Sequence, residues 1–361
     1  MPTLFDPLQI GDFVIENRVV MAPLTRARAT RDHVPTARMA TYYGQRAGAG
    51  LIISEASPIS RQGAGWPWSP GFWTDEQVVA WQPVTQAVHD KGGKIVAQLW
   101  HMGRLVHPSL HGEQPVSASA TTAPGEAHTY EGKQPYVEAR PLRADEISGI
   151  VADYVAAAHA AIRAGFDGVE IHGANGYLLD QFLRDNSNFR TDAYGGSIEN
   201  RARLLLEVVQ AVADAIGPGR TGLRLSPNGE VQGVIDSNPE PLFTYVAQQL
   251  DRIGIAFLHL REGRASGFGG TDQPALSPVI RQHFKGVLIL NGNYTPEEAG
   301  ATVAAGKADA IAFGRLYISN PDLAERIRVG APLDERNDMA TWYSQGDQGY
   351  IDYPAFEEAA A

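Results

Sequence analysis

One short run of the sequence carries three side chains that could together do acid–base and electrostatic chemistry. His172, Asn175 and Tyr177 lie in the segment GVEIHGANGY, residues 168–177. The first two can donate hydrogen bonds to one oxygen, as an oxyanion hole does. The phenol offers a proton nearby, which is a general-acid arrangement. We therefore interpret the run as a site that polarises a carbonyl or nitro group. The alternative is a strand-end histidine held by core hydrogen bonds.

The elements that must position these side chains follow a regular alternation. Short runs rich in Val, Ile and Leu predict parallel strands buried on both faces. Helical patterns lie between them, at 145–164, 197–216 and 295–305, and a further helix is predicted to start at Asn320-Pro321. The alternation predicts a (β/α)8 TIM barrel. A doubly wound sheet is the alternative, but no G-x-G-x-x-G follows the first strand. The predicted strands are 18–22, 50–55, 94–99, 168–172, 221–225, 256–260, 286–290 and 308–313.

Two segments interrupt this alternation. Residues 1–17 precede the first strand and predict a small hairpin that closes the bottom of the barrel. Residues 100–142, the lid segment, are rich in Pro, Ser, Ala and Gly and show no helical period. The lid segment follows the third strand, so we expect it to cover the carboxyl-terminal face, where barrel active sites lie. A tolerated surface insertion is the alternative. We predict a single domain over residues 1–361.

Composition excludes several classes of protein. The 361 residues carry a net charge of −11, which argues against nucleic-acid binding. Cysteine is absent, which excludes disulfides, thiolate zinc sites, iron–sulfur clusters and a cysteine nucleophile. No apolar run reaches the length of a membrane span. We therefore predict a cytoplasmic protein that binds neither nucleic acid nor membrane.

The motifs of the whole chain resemble those of the old yellow enzyme family, the FMN-dependent ene-reductases. The longest are HGANGYLLDQFLRD at 172–185 and N-x-R-x-D-x-Y-G-G-S-x-E-N-R at 188–201. Each of the shorter motifs lies in the expected order, most of them near a predicted strand end. They are NR at 17–18, APLTR at 22–26, AQLWH at 97–101, RLSP at 224–227, FGR at 313–315, NPDL at 320–323 and GYIDYP at 349–354.

The resemblance implies a non-covalent, tightly bound FMN and roles for the residues around it. Thr25 would face the flavin C4 carbonyl, and Gln98 would pair with the pyrimidine edge. Arg224 would lie near N1 and O2 and stabilise the reduced flavin; the alternative is an ion pair with Glu170, and both can hold. The phosphate is expected after strands seven and eight. The other cofactor-binding residues are Pro23, Leu24, Ala56, Gly292, Asn293, Gly314 and Arg315.

The resemblance also implies a ping-pong reaction. NADH or NADPH reduces the flavin, whose N5 then gives a hydride to an unsaturated aldehyde, ketone or nitroalkene. His172 and Asn175 would hold the substrate oxygen while Tyr177 protonates the α-carbon. Trp100 and Tyr343 would line the pocket, with plain packing as the alternative. Nitro or nitrate-ester reduction, binding of phenolic ligands, and a monomer or homodimer are further expectations.

Other readings of the same residues remain. Glu55 and Glu170 could form the carboxylate pair of a glycosidase. A dienoyl-CoA reductase type of flavin enzyme is excluded because its cluster needs cysteine. A flavin- or phenol-binding protein without catalysis is the non-enzymatic alternative. Three histidines in the lid segment lack the carboxylates of a metal site, so no metal is expected; they are His101, His107 and His111.

Two features of the loops are left as secondary interpretations. The aromatic residues of 66–68 and 70–73 are expected to pack a loop rather than to stack on bases, since the chain is acidic. Lys133, Arg140 and Arg143 are candidate lid cations for the 2′-phosphate of NADPH. No such site is placed by the sequence, so the choice of nicotinamide stays open.

Overall fold

Eight parallel strands close into a barrel in the computed structural model, which describes residues 1–264, 270–336 and 338–356. Each strand pairs with its successor, and the last returns to the first with Ile311 opposite Val19. Each also overlaps its predicted segment, so the predicted TIM barrel is confirmed. The barrel strands are β1 Val19–Met21, β2 Leu51–Ile53, β3 Ile95–Trp100, β4 Gly168–His172, β5 Thr221–Leu225, β6 Phe257–Arg261, β7 Val287–Asn291 and β8 Ala310–Phe313.

Helices surround the barrel and are capped much as the sequence predicts. Thr295 and Glu298 form a reciprocal capping box at the start of one helix. The helix expected from Asn320-Pro321 begins later, because Asn320 ends the preceding helix and donates to the Leu316 carbonyl at 2.9 Å. The helices are α1 Ala37–Gln45, α2 Asp75–His89, α3 Ala144–Arg163, α4 Leu178–Leu183, α5 Ile198–Ile216, α6 Pro239–Ile253, α7 Ser277–His283, α8 Pro296–Ala304, α9 Leu316–Ser319 and α10 Leu323–Val329. No helix within the described ranges is long and apolar enough to cross a membrane.

The bottom of the barrel is closed by an antiparallel hairpin, Leu8–Ile10 with Phe13–Ile15. Its buried side chains form one apolar cluster with Val96, Phe257 and Ile289 of the strands. These strand residues point into the barrel because side chains alternate along a strand. The predicted bottom-closing hairpin is thus confirmed.

Gly222 on β5 makes room for a ring inside this cluster. It lies opposite Phe257 of β6 in the strand register. A Cβ atom at position 222 would lie 2.2 Å from the Phe257 ring. The ring therefore fills the space that a side chain on β5 would take.

The lid segment contains short regular elements that its sequence does not predict. It contains two short 3-10 helices, a parallel pair of Val116–Ser117 with Arg140–Pro141, and a hairpin of Glu126–Thr129 with Gly132–Pro135. Tyr130, at the hairpin turn, lies edge-on to Trp68 with ring centroids 5.1 Å apart. The hairpin residues are polar, and their docking on a distant loop leaves no periodic pattern in the sequence.

Two buried arginines after β1 anchor the carboxyl-terminal segment, residues 339–350. Arg26 donates to the Gly349 carbonyl at 2.6 Å, and Arg28 donates to the Trp342 carbonyl at 2.7 Å. Tyr350 stacks on Tyr42 of α1 with ring centroids 4.2 Å apart. The segment is therefore fixed beside the carboxyl-terminal face of the barrel.

Candidate active site

The loop after β4 has its backbone donors occupied one after another. Gly173 N donates to the Arg224 carbonyl, Asn175 N to the Ser226 hydroxyl at 2.8 Å, and Gly176 N to the Asp180 carboxylate at 2.9 Å. Asn175 has φ +57° and Gly176 has φ +76°, both in the left-handed region. The glycine is required there, because a Cβ would lie 2.7 Å from the Val231 carbonyl oxygen.

The loop presents His172 as a neutral hydrogen-bond donor. Its Nδ1 accepts the Ala174 N–H at 3.3 Å, so the ring proton of a neutral imidazole is on Nε2. Burial, helped by the positive charge of Arg224, holds the pKa of His172 well below its usual value. Nε2–H can therefore donate to a substrate oxygen without the ring carrying charge.

Three predicted rings meet at the carboxyl ends of β3 and β4. Tyr177 lies edge-on to His172, with centroids 4.8 Å apart, and edge-on to Trp100 at 4.9 Å. Trp100 lies nearly parallel to His172 at 6.3 Å and is almost completely buried. Burial raises the pKa of Tyr177, which keeps the phenol protonated. Asn175 is partly buried in the same loop.

An aromatic wall extends this group toward solvent, and only part of it is predicted from the sequence. Tyr343, which was predicted, lies 4.9 Å from Trp66, and Trp66 stacks on His128 of the lid hairpin at 4.4 Å. Trp66, Tyr136 and Tyr177 flank one apolar cluster with Trp100. Trp66 packs a loop, as expected, but it also links the predicted Tyr343 to the lid hairpin. His128 and Tyr136 have no motif that would have singled them out.

A polar layer lies inside the barrel next to His172, with Arg224 opposite it on β5 and Glu170 two residues before it on β4. Gln98 Nε2 donates to Glu170 Oε1 at 2.7 Å, and His259 Nδ1 lies 2.7 Å from Glu170 Oε2. Arg224 Nη2 donates to Asn291 Oδ1 at 2.9 Å. Burial lowers the pKa of Arg224 to about 10, while the charge of Glu170 opposes that effect. Arg224 is thus a buried cation whose hydrogen bond goes to Asn291, and the alternative ion pair with Glu170 is not among the ion pairs of the described residues.

The carboxylates of the glycosidase alternative do not face a pocket. Glu55 is fully buried and accepts the N–H groups of Arg26 and Ala27, both at 3.0 Å. Glu170 is fully buried in the polar layer. Neither side chain can reach a substrate, so this pair does not support glycoside hydrolysis.

The remaining flavin residues form the edge of the same face. Pro23, Leu24 and Thr25 follow β1 and are partly buried, and Ala56 packs in the cluster of Trp100. A Cβ on Gly314, after β8, would meet only Leu24, at 3.5 Å.

The turns after β7 and β8 lie side by side. Arg315 Nη2 donates to Asn293 Oδ1 at 2.9 Å. Asn293 has φ +56°, and a Cβ on Gly292 would lie 2.6 Å from the Glu262 carbonyl oxygen. The predicted phosphate residues are therefore together, with a guanidinium among small, tightly turned residues.

These residues fit FMN. Arg224 Nε is buried with no hydrogen-bond partner among the described residues, and so is Trp100 Nε1. A buried donor of this kind costs free energy unless a further group pairs with it. Gln98 retains a second amide N–H and a carbonyl oxygen beyond its bond to Glu170. The donors suit the flavin's pyrimidine edge, and the turns after β7 and β8 suit its phosphate.

Two of the candidate lid cations form ion pairs with carboxylates at the start of α3. Arg140 binds Glu146 through both terminal nitrogens, at 2.8 and 2.9 Å. Arg143 caps α3 and lies 3.1 Å from Asp145. Lys133 is exposed on the lid hairpin. Of the three, Lys133 is the one with no ion pair among the described residues.

The lid histidines have local partners. His101 is buried, and its Nδ1 accepts the Gly103 N–H at 3.1 Å. His107 Nδ1 lies 2.8 Å from the Ser109 hydroxyl. These bonds give two of the three rings a structural role.

Known proteins similar to this chain agree with its geometry. The model of the NADH:flavin oxidoreductase / NADH oxidase family matches residues 3–334. An old yellow enzyme homologue from Zymomonas mobilis is 58% identical, with a TM-score of 0.97 over 98% of this chain and 99% of that one. Morphinone reductase in complex with tetrahydroNAD is 49% identical, with a TM-score of 0.93 over 99% and 98%. A probable flavin mononucleotide-dependent alkene reductase of Leishmania infantum is 46% identical over 97% of both chains.

The family match covers most of the chain, and the solved relatives share its barrel almost from end to end. Sequence motifs, strand order and the residues at the carboxyl-terminal face therefore all indicate the same family. The chain belongs to the old yellow enzyme family of flavin oxidoreductases.

Proposed function

We propose that this chain binds FMN and uses NADH or NADPH to reduce the C=C bond of activated alkenes, namely unsaturated aldehydes, unsaturated ketones and nitroalkenes. One observation carries the proposal: a neutral His172, a protonated Tyr177 and Trp100 meet at the carboxyl ends of β3 and β4, next to the buried Gln98 and Arg224. The named activity of the Leishmania relative and the tetrahydroNAD bound to morphinone reductase support it.

Hydrogen-bond donors at this site suit an oxygen that gains charge during the reaction. His172 Nε2–H and the Asn175 amide can bind one carbonyl or nitro oxygen. As the alkene is reduced, electrons move toward that oxygen, so both bonds strengthen in the transition state. The imidazole of His172 stays neutral in this role because its pKa is held well below the usual value.

The proton completes the reaction. When bound, FMN reduced by NADH or NADPH supplies a hydride from N5 for the β-carbon. Tyr177 gives its phenolic proton to the α-carbon, so that the C=C bond becomes a C–C single bond with two new C–H bonds. Solvent then returns a proton to the Tyr177 oxygen.

The first test asks whether the flavin cycle exists. The purified protein should be yellow, lose its flavin absorbance with NADH or NADPH, and regain it with an enone. A protein that only stores flavin or phenols would bleach poorly or would not be re-oxidised by the enone. A colourless protein that takes up no FMN would overturn the proposal.

The second test removes the phenolic hydroxyl of Tyr177, the proposed proton donor. Tyr177→Phe should keep FMN and its reduction by nicotinamide, while enone reduction slows about 100-fold or more, a loss typical of a missing general acid. Stopped-flow absorbance separates the two half-reactions. Unchanged enone turnover would show that Tyr177 is not the proton donor.

Several expectations go with the proposal. The aromatic wall of Trp66 and Tyr343 suits planar ligands, including phenols, and Lys133 is the candidate cation for NADPH. Nitro and nitrate-ester reduction, the single domain, the cytoplasmic location and the monomeric or homodimeric state stay predictions.

A further inference from the structure

The hydrogen-bond ladder between β4 and β5 changes its acceptor next to the proposed site. Its last backbone bond runs from Gly173 N to the Arg224 carbonyl at 2.9 Å. Bonds in a parallel ladder are evenly spaced, so the next one would run from Asn175 N to the Ser226 carbonyl. Asn175 N instead donates to the Ser226 hydroxyl, at 2.8 Å. A side chain thus takes the place of a backbone acceptor where the loop after β4 begins.

The Ser226 carbonyl is occupied by a buried guanidinium. Arg184 Nη2 donates to that carbonyl, and Arg184 Nε donates to Asp180 Oδ1 at 2.7 Å. Both side chains of this ion pair are 2% exposed, and the guanidinium carbon lies 4.8 Å from the centre of the Phe243 ring on α6. A buried ion pair needs hydrogen bonds to its remaining atoms, and the Ser226 carbonyl accepts one of them. The hydroxyl is therefore the acceptor that Ser226 offers to Asn175 N.

The hydroxyl is held in turn by the other oxygen of the same carboxylate. Ser226 Oγ donates to Asp180 Oδ2 over 3.4 Å, and Gly176 N donates to that oxygen at 2.9 Å. A hydroxyl has one hydrogen to donate and two lone pairs that accept, so it can bind Asp180 and Asn175 at once. Ser226 is almost completely buried, so bulk water does not compete for these bonds.

The backbone of Asn175 is strained and is held from the loop after β5. Its φ of +57° is uncommon for a residue with a Cβ, although asparagine tolerates it better than most. Gln232 Nε2 donates to the Asn175 carbonyl at 3.0 Å, so side chains that follow β5 bind both its backbone oxygen and its backbone nitrogen. Strain of this kind persists where the surroundings hold it in place. These contacts therefore set the direction in which the Asn175 side chain leaves the loop.

We propose that Ser226 is a positioning residue whose hydroxyl holds Asn175 so that the Asn175 amide and His172 Nε2–H bind the same substrate oxygen. This inference rests on the proposed function. His172 lies opposite Arg224 in the strand register, so β5 positions His172 through the ladder and Asn175 through the hydroxyl. The substrate oxygen gains charge in the transition state, so a displaced amide loses most of its effect there.

The test compares variants of the FMN-loaded enzyme that differ in one hydroxyl. Ser226→Ala removes it and should slow re-oxidation by saturating enone about five- to tenfold, as expected for one lost hydrogen bond. Ser226→Thr keeps the hydroxyl, whereas Ser226→Val has nearly the same shape without it, so the first should be faster than the second by a similar factor. Ser319→Ala is the matched control, because it removes another buried serine hydroxyl, which donates to the Asp334 carbonyl.

Three readouts separate positioning from general damage. Ferricyanide takes electrons from reduced flavin without a hydrogen bond to a substrate oxygen, so re-oxidation by ferricyanide should be unchanged in Ser226→Ala. The FMN affinity, measured by flavin fluorescence titration, should also be unchanged. Asn175→Gly removes the amide without straining the left-handed backbone. In that background Ser226→Ala should cost nothing further with the enone, because Ser226 acts through Asn175.

The outcomes distinguish this role from the proposed function. If Asn175→Gly slows enone reduction but Ser226→Ala does not, the role of Ser226 is wrong and the proposed function stands. Additive losses in the double variant, equal rates for Ser226→Thr and Ser226→Val, or slower re-oxidation by ferricyanide would also overturn the role of Ser226. A parent enzyme that no enone re-oxidises would refute the proposed function, and the role of Ser226 with it.

Discussion

At the scale of single residues, the site depends on buried groups whose charge is set by their surroundings. Arg224 is almost completely buried, yet a pKa of about 10 leaves it protonated at neutral pH. His172 is neutral for the opposite reason, since burial and the nearby guanidinium both disfavour its charged form. The proposed function gives this one cation two purposes, which are to offer charge to a flavin and to keep the imidazole a neutral donor.

Arg224→Met tests the first purpose. The variant keeps an apolar stem of similar length but loses the charge, so we expect FMN to bind about 10- to 100-fold more weakly, the range for a lost charged hydrogen bond. Flavin fluorescence titration measures the affinity. Arg224→Lys, which keeps the charge, should recover part of it. Arg220→Met, at the other end of β5, is the matched control, and an equal loss there would contradict the assignment.

At the scale of elements, the register between β5 and β6 depends on a glycine opposite a ring. Gly222→Ala places a methyl 2.2 Å from the Phe257 ring, so it should lower the free energy of unfolding by about 1–3 kcal/mol, as overpacking does. Adding Phe257→Leu should make the double loss smaller than the sum of the single losses. Denaturant unfolding measures each value, and additive losses would refute the packing explanation.

Gly149 offers the contrasting case. It lies on an exposed face of α3, and a Cβ there would meet nothing within 4 Å. Gly149→Ala should therefore raise the free energy of unfolding by about 0.5–1 kcal/mol, because alanine loses less entropy in a helix.

The elements also differ in how well the sequence predicts them. Barrel strands and capped helices carry local signals, and their bounds are predicted to within a few residues. The lid hairpin, Glu126–Thr129 with Gly132–Pro135, carries none, since its order comes from Tyr130 docking near Trp68. The contact of Gln232 with Asn175 joins residues 57 positions apart, so no local pattern indicates it. Arg140 and Arg143 pair with Glu146 and Asp145, which lie 6 and 2 positions away, so the start of α3 already indicates that these two arginines are paired.

At the scale of the whole molecule, buried neutral histidines make stability depend on pH. Burial lowers the pKa of His101 to about 3 and holds that of His172 well below its usual value. Unfolded histidines bind protons below about pH 6.5. Below that pH the unfolded state takes up protons that these folded histidines do not, so stability falls as pH drops. Each such histidine contributes a slope of about 1.4 kcal/mol per pH unit.

His101→Asn isolates one of these contributions. The asparagine oxygen can still accept the Gly103 N–H, but it cannot titrate. Between pH 5.5 and 4.5, the free energy of unfolding of the FMN-loaded variant should fall less steeply than that of the parent, by about 1.4 kcal/mol per pH unit. Denaturant titrations at several pH values measure the slope. His159→Gln, on the exposed surface of α3, is the control variant.

The pairing of β1 with β8, which closes the barrel, also determines when the site can form during synthesis. β1 ends at Met21, but its partner β8 ends at Phe313, so one edge of the sheet stays open until most of the chain has left the ribosome. Tyr343 is synthesised later still. The two arginines that anchor its segment, Arg26 and Arg28, are made early and have no partners from that segment until then. Pairing over such a separation is slow. A nascent chain therefore holds an exposed edge strand until β8 is made, and no complete site until residues 339–350 are made.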